Sequence, residues 1–386
     1  MRKIFESKQS KTSLLFLLVF FIVILLLHTI LESMVEMGDP MKNNLYYSFK
    51  LPKKLIIFVA ITLATYIVLE LTTDISNRIN RTFFGVSKGV TLDGVTIQHH
   101  LDYEIRTHIE QIAKEKYSEP INARIDSVWK GIPGLNGIKV NIDKTVEQAL
   151  SANKFKNIKL QYEQWQPDIQ LHDLEPVAVY RGNQNKQAMA LMINVAWGTE
   201  YIEHILDILE ENNVKATFFV AGNWVENNHE SLLKIYLAGH EIGSHAYTHR
   251  NMSTLNRQEL EVELTRTDEL IHKVLPNVEV KLFAPPSGDY NQQVVDVAHA
   301  NNKYTVLWTL DTVDWQKPSP QTIVNRIAPK AENGALVLMH PTESTVEALK
   351  IMVPELSKKY KLITASQLLS SDRNDIIDTN SDIGFP

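Results

Sequence analysis

The sequence contains no cysteine in its 386 residues, so disulfide bonds and thiolate metal ligands are both excluded. Exported proteins can also lack cysteine, and its absence does not settle the compartment. Basic residues are not in excess either, with 39 Lys and Arg against 45 Asp and Glu. The formal net charge is −6, which argues against a nucleic-acid partner. No internal repeat or low-complexity tract is present, and the length leaves room for two domains with additional segments.

Two long apolar runs, residues 14–31 and 55–71, lie near the N-terminus. Basic residues precede each run: Arg2, Lys3, Lys8 and Lys11 before the first, and Lys50, Lys53 and Lys54 before the second. Both runs approach the roughly 20 residues that a helix needs to span a bilayer, and a buried core helix is seldom apolar on every face. We therefore expect 55–71 to be a transmembrane anchor and treat 14–31 as a candidate transmembrane helix.

If both runs span the membrane, one of the two helices must violate the positive-inside rule. Positive flanks favour the cytoplasmic side, and both runs carry theirs at the N-terminal end. If the first helix obeys this rule, the large C-terminal domain lies in the cytoplasm. Translation from Met41 would leave 55–71 as a single anchor, with the rest of the chain outside the cytoplasm. We expect this single-pass arrangement at the cell membrane, and the two-span topology stays open.

A small α+β module is predicted over residues 88–153. Asp93-Gly94 marks a turn between two short strands, and apolar residues recur at helical spacing from Leu101 to Tyr117. A half-buried strand over 121–129, a Gly/Pro-rich loop and a short helix ending near Leu150 follow. The layout resembles small modules of bacterial cell-wall proteins that are credited with binding peptidoglycan. A spacer without a ligand is the alternative.

The remainder of the chain divides into three parts. Residues 161–187 are rich in Gln, Asp, Pro and Asn, which is typical of a linker. Residues 188–370 alternate strand and helix patterns, which predicts a parallel sheet with crossover helices and an α/β fold. Residues 371–386 are polar and aperiodic, and we expect a frayed tail.

Two histidines, His245 and His249, have a spacing that suits metal binding. Residues at i and i+4 share a helix face, so both rings could hold one ion from a single turn. Imidazole suits zinc and other divalent metals, and a catalytic zinc site normally has three protein ligands plus water. Spacing alone leaves the alternative that both are ordinary solvated histidines.

The segment that contains these histidines resembles the metal-binding motif of the polysaccharide deacetylase (NodB-like, carbohydrate esterase 4-like) family. The resemblance continues in family order through four other segments, which are 215–222, 283–288, 311–315 and 338–342. It covers roughly 188–370. It implies a distorted (β/α)7-type barrel, with the motifs at the C-terminal ends of the strands, where such barrels place function.

The family pattern implies that five positions of this sequence correspond to the metal ligands, the general base and the partner of that base. His245 and His249 match the two metal-binding histidines, and Val195 stands where the family has a metal-binding Asp. Asn194 stands at the Asp that acts as general base, and Ala284 at the Arg that hydrogen-bonds this base. The implied cofactor is a divalent metal, with zinc favoured.

The resemblance assigns an acid side to three further positions. His340 matches the histidine that protonates the leaving amine, and Asp314 the carboxylate that tunes this histidine. Ser287 stands where a backbone N–H faces the tetrahedral oxyanion. These three positions agree with the family's chemistry.

The departures on the base side are chemically consistent with one another. The carboxamide of Asn194 cannot take a proton near neutral pH, and the side chain of Val195 cannot bind a metal. An Arg left without its carboxylate would be an unpaired and partly desolvated charge, which is costly. Loss of both partners, as at Asn194 and Ala284, removes this cost. We infer that the base side has been dismantled and the acid side kept.

Other side chains remain open at this point. Trp197, Trp224 and Trp315 could stack on sugar rings, although Trp in an α/β domain more often serves packing. Asp311 and Glu200 are candidate substitutes for the missing ligand or base.

Two functions follow from this pattern. The first is metal-dependent hydrolysis of N-acetyl groups on cell-wall glycan (peptidoglycan or chitin-like oligomers) by a membrane-anchored protein, with the activity weakened or lost. The alternative is a non-catalytic protein that binds glycan in the same groove, as a scaffold or regulator at the cell surface.

Overall fold

An apolar helix, α1 (Lys53–Thr73), opens the part of the chain that the computed structural model describes, residues 53–373. The helix α2 (Ile75–Phe84) follows directly. The predicted run 55–71 is therefore helical. Within residues 53–373 no single helix is long and apolar enough to cross a membrane, whereas residues 57–70 and 75–84, bent by 76°, pass that criterion as a pair. Residues 14–31 lie outside the described residues.

The chain divides into two compact units, residues 1–75 and 76–386. The second unit begins with a small α+β module, and its elements, in order, are β1 (Thr91–Leu92), β2 (Val95–Thr96), α3 (Asp102–Glu115), β3 (Arg124–Asp126), β4 (Lys130–Ile132), β5 (Gly137–Val140), α4 (Ile142–Ser151), β6 (Asn157–Ile158) and β7 (Tyr162–Trp165). The predicted turn at Asp93-Gly94 and both predicted helices are present. Ile105 and Ile109 on α3 are fully buried, which confirms the helical spacing of the apolar residues.

The predicted end of the module at residue 153 needs correction. The strand β6 pairs in parallel with β1, and β7 pairs antiparallel with β5. The module therefore extends to Trp165. Strand pairing between segments that lie 22 to 66 residues apart leaves no local pattern in the sequence, which is why the boundary was placed too early.

The segment 161–187 is packed and hydrogen-bonded, contrary to the predicted linker. Val179 is fully buried, and its N–H donates to the carbonyl of Thr305 at 2.9 Å. The side-chain amide of Asn183 donates to the carbonyl of Pro133 at 2.9 Å, and the Lys186 ammonium donates to two carbonyls of the last helix region. Polar composition misled the prediction, because these polar groups are buried with partners instead of solvated.

A curled parallel half-barrel sheet forms the rest of the second unit. Its strands are β8 (Ala188–Val195), β9 (Thr217–Val220), β10 (Glu241–Ser244), β11 (Leu282–Phe283), β12 (Tyr304–Thr305), β13 (Leu310–Asp311), β14 (Leu336–Met339) and β15 (Lys361–Leu362). The order is β12-β11-β10-β9-β8-β14-β13, and β15 pairs with the start of β8. All of these pairings are parallel, as predicted, and the shape is consistent with the expected barrel.

Helices join the strands of the half-barrel, as strand–helix alternation predicts. They are α5 (Ile202–Glu211), α6 (Gly222–Val225), α7 (His229–Leu237), α8 (Arg257–Val274), α9 (Gln292–Ala300), α10 (Pro320–Ile327), α11 (Glu343–Ser357) and α12 (Ala365–Leu369). Side chains of β8 alternate between two layers. Leu191, Ile193 and Val195 belong to the core cluster that the outer helices cover, whereas Ala190 and Met192 belong to the second cluster on the other side of the sheet.

The module and the half-barrel share a hydrogen-bonded boundary. The N–H of Gly131 donates to the carbonyl of Ala178 at 2.9 Å, and the guanidinium of Arg181 lies 5.2 Å from the ring centre of Trp129. Arg373 donates through Nε to the carbonyl of Asn136 at 2.7 Å. Residues 371–373 are thus hydrogen-bonded to the module, contrary to the predicted frayed tail, and residues 374–386 lie outside the described part.

Stability of the sheet depends on a neutral histidine. His240 is 4% exposed, and its Nδ1 accepts a hydrogen bond from the N–H of Ala216 at 3.1 Å. Burial, with a smaller effect of the nearby Lys215 charge, lowers the pKa of His240 from 6.5 to about 4. Between these values the unfolded chain binds the proton more readily than the folded one, so stability falls as the pH drops from 6.5 towards 4.

Replacing His240 tests this pH dependence. His240→Asn keeps an acceptor for the Ala216 N–H but does not titrate, so its unfolding free energy should decline less than that of the wild type below pH 6.5. The difference should approach about 1.4 kcal/mol per pH unit at most, measured by urea denaturation at pH 7, 6, 5 and 4.5. The exposed His204→Asn serves as the control and should follow the wild type. Parallel curves for wild type and His240→Asn would contradict the assignment.

Candidate functional site

The residues singled out by the sequence lie at one edge of the sheet, where the parallel strands end. Asn194 is the penultimate residue of β8, and His245, Ala284 and His340 immediately follow β10, β11 and β14. The last residue of β14, Met339, is in register with Ile193. His340 and Asn194 are therefore neighbours across the sheet edge, as the predicted location at the strand ends requires.

The two histidines of the metal motif come together in a loop, and the predicted helical turn is absent. Residues 245–250 are non-helical, and Ala246 and His249 have positive φ values of 59° and 61°. The rings of His245 and His249 nevertheless lie 5.1 Å apart, centre to centre, in an edge-to-face arrangement. The i, i+4 spacing was informative, but left-handed backbone conformations bring the two rings together instead of a helix.

A buried carboxylate that the sequence reading missed fixes this loop. Glu263 on α8 accepts hydrogen bonds from the N–H groups of Tyr247 and Thr248, both at 2.8 Å, and from the Thr248 hydroxyl. Its neighbours on the same helix face, Leu260 and Leu264, are core residues. A carboxylate within the apolar stripe of an amphipathic helix was the available signal for this role.

Both histidines favour the neutral form that binds metals. The ring Nδ1 of His245 lies 2.7 Å from the Ala284 carbonyl, which can only accept, so Nδ1 carries the proton and Nε2 keeps a free lone pair. Burial is the main cause that lowers the pKa of His245 to about 3, followed by the neighbouring His249. Burial also lowers the pKa of His249.

The donor set nevertheless does not fit the usual catalytic metal site. Val195 is completely buried in the core cluster beneath the outer helices. Among residues 53–373, no group of three His, Asp or Glu side chains is arranged to hold a metal ion. Asp311 accepts a hydrogen bond from the Val313 N–H at 2.8 Å, and neither it nor Glu200 joins the histidines in such a group. Two imidazoles stand where three protein ligands are the rule.

The position of the general base is also incomplete. Asn194 is 3% exposed, and its Oδ1 is buried without a hydrogen-bond partner. Ala284, at the position where the resemblance implies an Arg, is fully buried and offers no side-chain donor. A buried unpaired amide oxygen costs about 1–3 kcal/mol. Among residues 53–373 this acceptor therefore has no donor, and its pairing with an Arg at position 284 stays a prediction.

The acid side, by contrast, is fully connected. The ring Nδ1 of His340 lies 2.8 Å from Asp314 Oδ1, and the His340 backbone N–H donates to Asp314 Oδ2 at 2.6 Å. Asp314 is fully buried and also accepts from the Thr345 hydroxyl at 2.5 Å. These contacts orient the imidazole with Nε2 available for proton transfer. Thr345, on the following helix α11, was not predicted as part of the site.

The aromatic candidates divide into exposed and buried ones. The ring of Trp197 is stacked beside His340 with 5.8 Å between centres and an 8° interplanar angle, and it is 44% exposed. Trp315 is 56% exposed. Trp224 is buried and donates to the Thr199 hydroxyl at 2.9 Å, so its role is packing.

The oxyanion position, Ser287, lies in a turn after β11. Its φ is 55°, and the following Gly288 has a φ of 66°. The side chain of Ser287 is exposed. The expected role of its backbone N–H stays a prediction.

The chain is similar in sequence to a known protein family. Residues 181–306 match the profile of the family described as polysaccharide deacetylase. The chain is also 32% identical to a peptidoglycan-N-acetylglucosamine deacetylase of Bacillus cereus, over 51% of its own length and 96% of the relative. The chain belongs to the polysaccharide deacetylase family. The resemblance recognised in its motifs is therefore confirmed.

Two further relatives cover more of the chain. The uncharacterized protein YlxY of Bacillus subtilis is 43% identical over 73% of this chain and 88% of its own. A crystal structure described as a CE4 family pseudoenzyme from Bacillus anthracis is 39% identical, covers 70% of this chain and 96% of its own, and has a TM-score of 0.64. A mutant of that pseudoenzyme, at the same TM-score, is described as having restored enzymatic activity. Weakened or lost activity in this family member is consistent with these neighbours.

A double-mutant cycle tests, through stability alone, whether positions 194 and 284 face each other as the implied Asp–Arg pair would. Asn194→Asp should lower the unfolding free energy at pH 7 by on the order of 3 kcal/mol, because it buries an unpaired carboxylate. Adding Ala284→Arg should recover part of this loss, with a favourable coupling of about 1–3 kcal/mol measured by urea denaturation.

Ala284→Met is the matched control, since it has comparable reach without a charge, and it should show little coupling to Asn194→Asp. Additive effects of Asn194→Asp and Ala284→Arg would argue against a facing pair.

Proposed function

We propose that the strand-end cleft binds N-acetylated cell-wall glycan, of the peptidoglycan or chitin-oligomer class, and hydrolyses it weakly or not at all. The observation that carries this proposal is the contrast between two sides of one site. The His340–Asp314 pair is complete, whereas Asn194 Oδ1 is buried without a partner. Relatives named as peptidoglycan and chitooligosaccharide deacetylases support the glycan class.

Deacetylation needs an activated water, a donor for the oxyanion and a proton for the departing nitrogen. His340, oriented by Asp314, can supply the proton. Asn194 can orient a water but cannot deprotonate it, and a positioned base is typically worth about 10²–10⁴-fold in rate. A bound divalent metal such as zinc would acidify that water, yet only His245 and His249 are in place to hold one. The hydrolytic step is therefore deficient on one side.

Glycan binding does not require the missing groups. Trp197 is 44% exposed and its ring lies beside that of His340, so a sugar ring that packs on Trp197 would lie near the imidazole. Aromatic stacking contributes about 0.5–1.5 kcal/mol beyond buried area. The oriented His340, the exposed Trp197 beside it and the missing base together favour a scaffold or regulator of the cell wall over an efficient enzyme.

The cellular location is part of the same proposal. Cell-wall glycan lies outside the cytoplasm, so the domain should be extracytoplasmic and attached to the cell membrane. The apolar helix α1 supports this assignment, because Ile57, Phe58 and Ile61 on it are 56–64% exposed.

Acetate release from peptidoglycan and chitin oligomers, measured with added zinc or cobalt, tests the hydrolytic part. The wild type should release little or none. The double variant Asn194→Asp/Ala284→Arg should release more acetate than the wild type, because it regains a base and the partner of that base. The triple variant with Val195→Asp should release the most acetate, because it also gains a third metal ligand. His340→Ala in the triple variant is the control and should remove the gain. Robust release by the wild type that His340→Ala abolishes would instead establish an active deacetylase.

Glycan affinity tests the binding part independently. Trp197→Ala should weaken binding of chitin oligomers by about 3- to 10-fold, the loss of one stacking contact, as measured by isothermal titration calorimetry. Tyr236→Ala is the matched control, since Tyr236 is 40% exposed on the outer helix α7. Equal affinities of Trp197→Ala and wild type would place the sugar elsewhere.

A further inference from the structure

The short helix α2 presents its apolar side outward. Ile75, Ile79 and Phe83 are spaced at i, i+4 and i+8 and therefore share one face. Ile79 is 39% exposed and Phe83 is 75% exposed, and the adjacent Phe84 is 57% exposed. None of the ten residues of α2 is buried. A helix on the surface of a soluble domain normally turns such a face towards the core.

The polar side of α2 faces the small module and fixes this orientation. The Arg81 guanidinium makes two hydrogen bonds to the Glu104 carboxylate, at 2.7 and 2.8 Å, and a third to the carbonyl of His99 at 3.1 Å. Its Nε donates to Asn77 Oδ1 at 3.1 Å. The bidentate geometry holds one rotation of the helix about its axis. The outward apolar face is thus built into the fold.

The size and charge of this face favour a lipid surface over a protein partner. Ile79 and Phe83 together expose roughly 200 Å² of side chain, well below the roughly 800 Å² that each partner of a standard protein interface buries. Residues 75–84 contain Arg78 and Arg81 but no acidic side chain. Arg78 is exposed, and its charge complements anionic headgroups.

Chain continuity points in the same direction, since α2 follows the apolar helix α1 after one residue, Asp74. We propose that α2 lies in the headgroup region of an anionic membrane, with Ile79 and Phe83 inserted at the acyl boundary. Interfacial helices of this kind bury their apolar face about 5–10 Å into that boundary. This inference rests on the proposed attachment of the protein to the membrane. It implies that Arg81 and Glu104 set the orientation of the module at the membrane surface.

Because the chain has no cysteine, single cysteine variants of the full-length protein can be labelled at one known place. Ile79→Cys, Phe83→Cys and the control Thr107→Cys, exposed on α3, would each carry an NBD fluorophore. The proteins would be reconstituted into vesicles of phosphatidylcholine and phosphatidylglycerol containing lipids with a nitroxide at a shallow acyl position. We expect strong quenching at positions 79 and 83 and little at 107.

The outcomes separate this inference from the anchoring on which it rests. Protein that floats with the vesicles but shows equal quenching at 79, 83 and 107 would overturn the interfacial helix and leave the anchor intact. Failure to float would overturn both. Shielding of positions 79 and 83 from aqueous iodide in detergent, without lipid and dependent on protein concentration, would identify a second copy as the occupant and reject the lipid surface.

Loss of quenching at 79 and 83 in an Arg81→Gln variant that still floats would support the orienting role of the Arg81–Glu104 pair. The exposed Arg78→Gln is its matched control. In the Arg78→Gln variant, quenching should vary less with the phosphatidylglycerol content of the vesicles than in the wild type. Quenching at positions 79 and 83 should remain in fully anionic vesicles.

Discussion

The parallel register around β8 is the constraint on which the site depends. Each strand that pairs in parallel with its neighbour must end at the same edge of the sheet, so the residues that follow β8, β10, β11 and β14 meet there. Met339 opposite Ile193 places His340 beside Asn194. The hydrogen bond from the His245 N–H to the Val220 carbonyl, 2.9 Å long, continues the ladder beyond β10. The backbone register therefore sets which residues meet at this edge of the sheet.

The two sides of the site differ in how well their polar groups are satisfied. A buried carboxylate needs a partner, so an Asp at position 194 and an Arg at position 284 are stable together and costly alone. Replacement of both leaves one unsatisfied amide oxygen, a smaller cost than an unpaired buried charge. The acid side keeps Asp314, which three hydrogen bonds satisfy. This asymmetry is consistent with a family fold that is intact while its hydrolytic activity is weakened or lost.

Much of the fold was predictable because its signals are local. The helix from Leu101, the Asp93-Gly94 turn and the strand–helix alternation after 188 all follow from short-range periodicity. The linker over 161–187 was predicted wrongly because burial of Val179 and Asn183 depends on distant partners. The spacing of His245 and His249 correctly suggested that their rings lie close together. The predicted helical turn is absent, because Glu263 on α8 holds this segment as a loop.

The sequence by itself determined the family and showed that Asn194, Val195 and Ala284 stand within its motifs, because motif matches and residue identities are read directly along the chain. Only the tertiary structure decided that Asn194 Oδ1 has no partner, that Trp224 is packed while Trp197 is open, and that α2 turns its apolar face outward. Burial and hydrogen-bond partners are properties of segments brought together by folding. No local pattern along the chain encodes them.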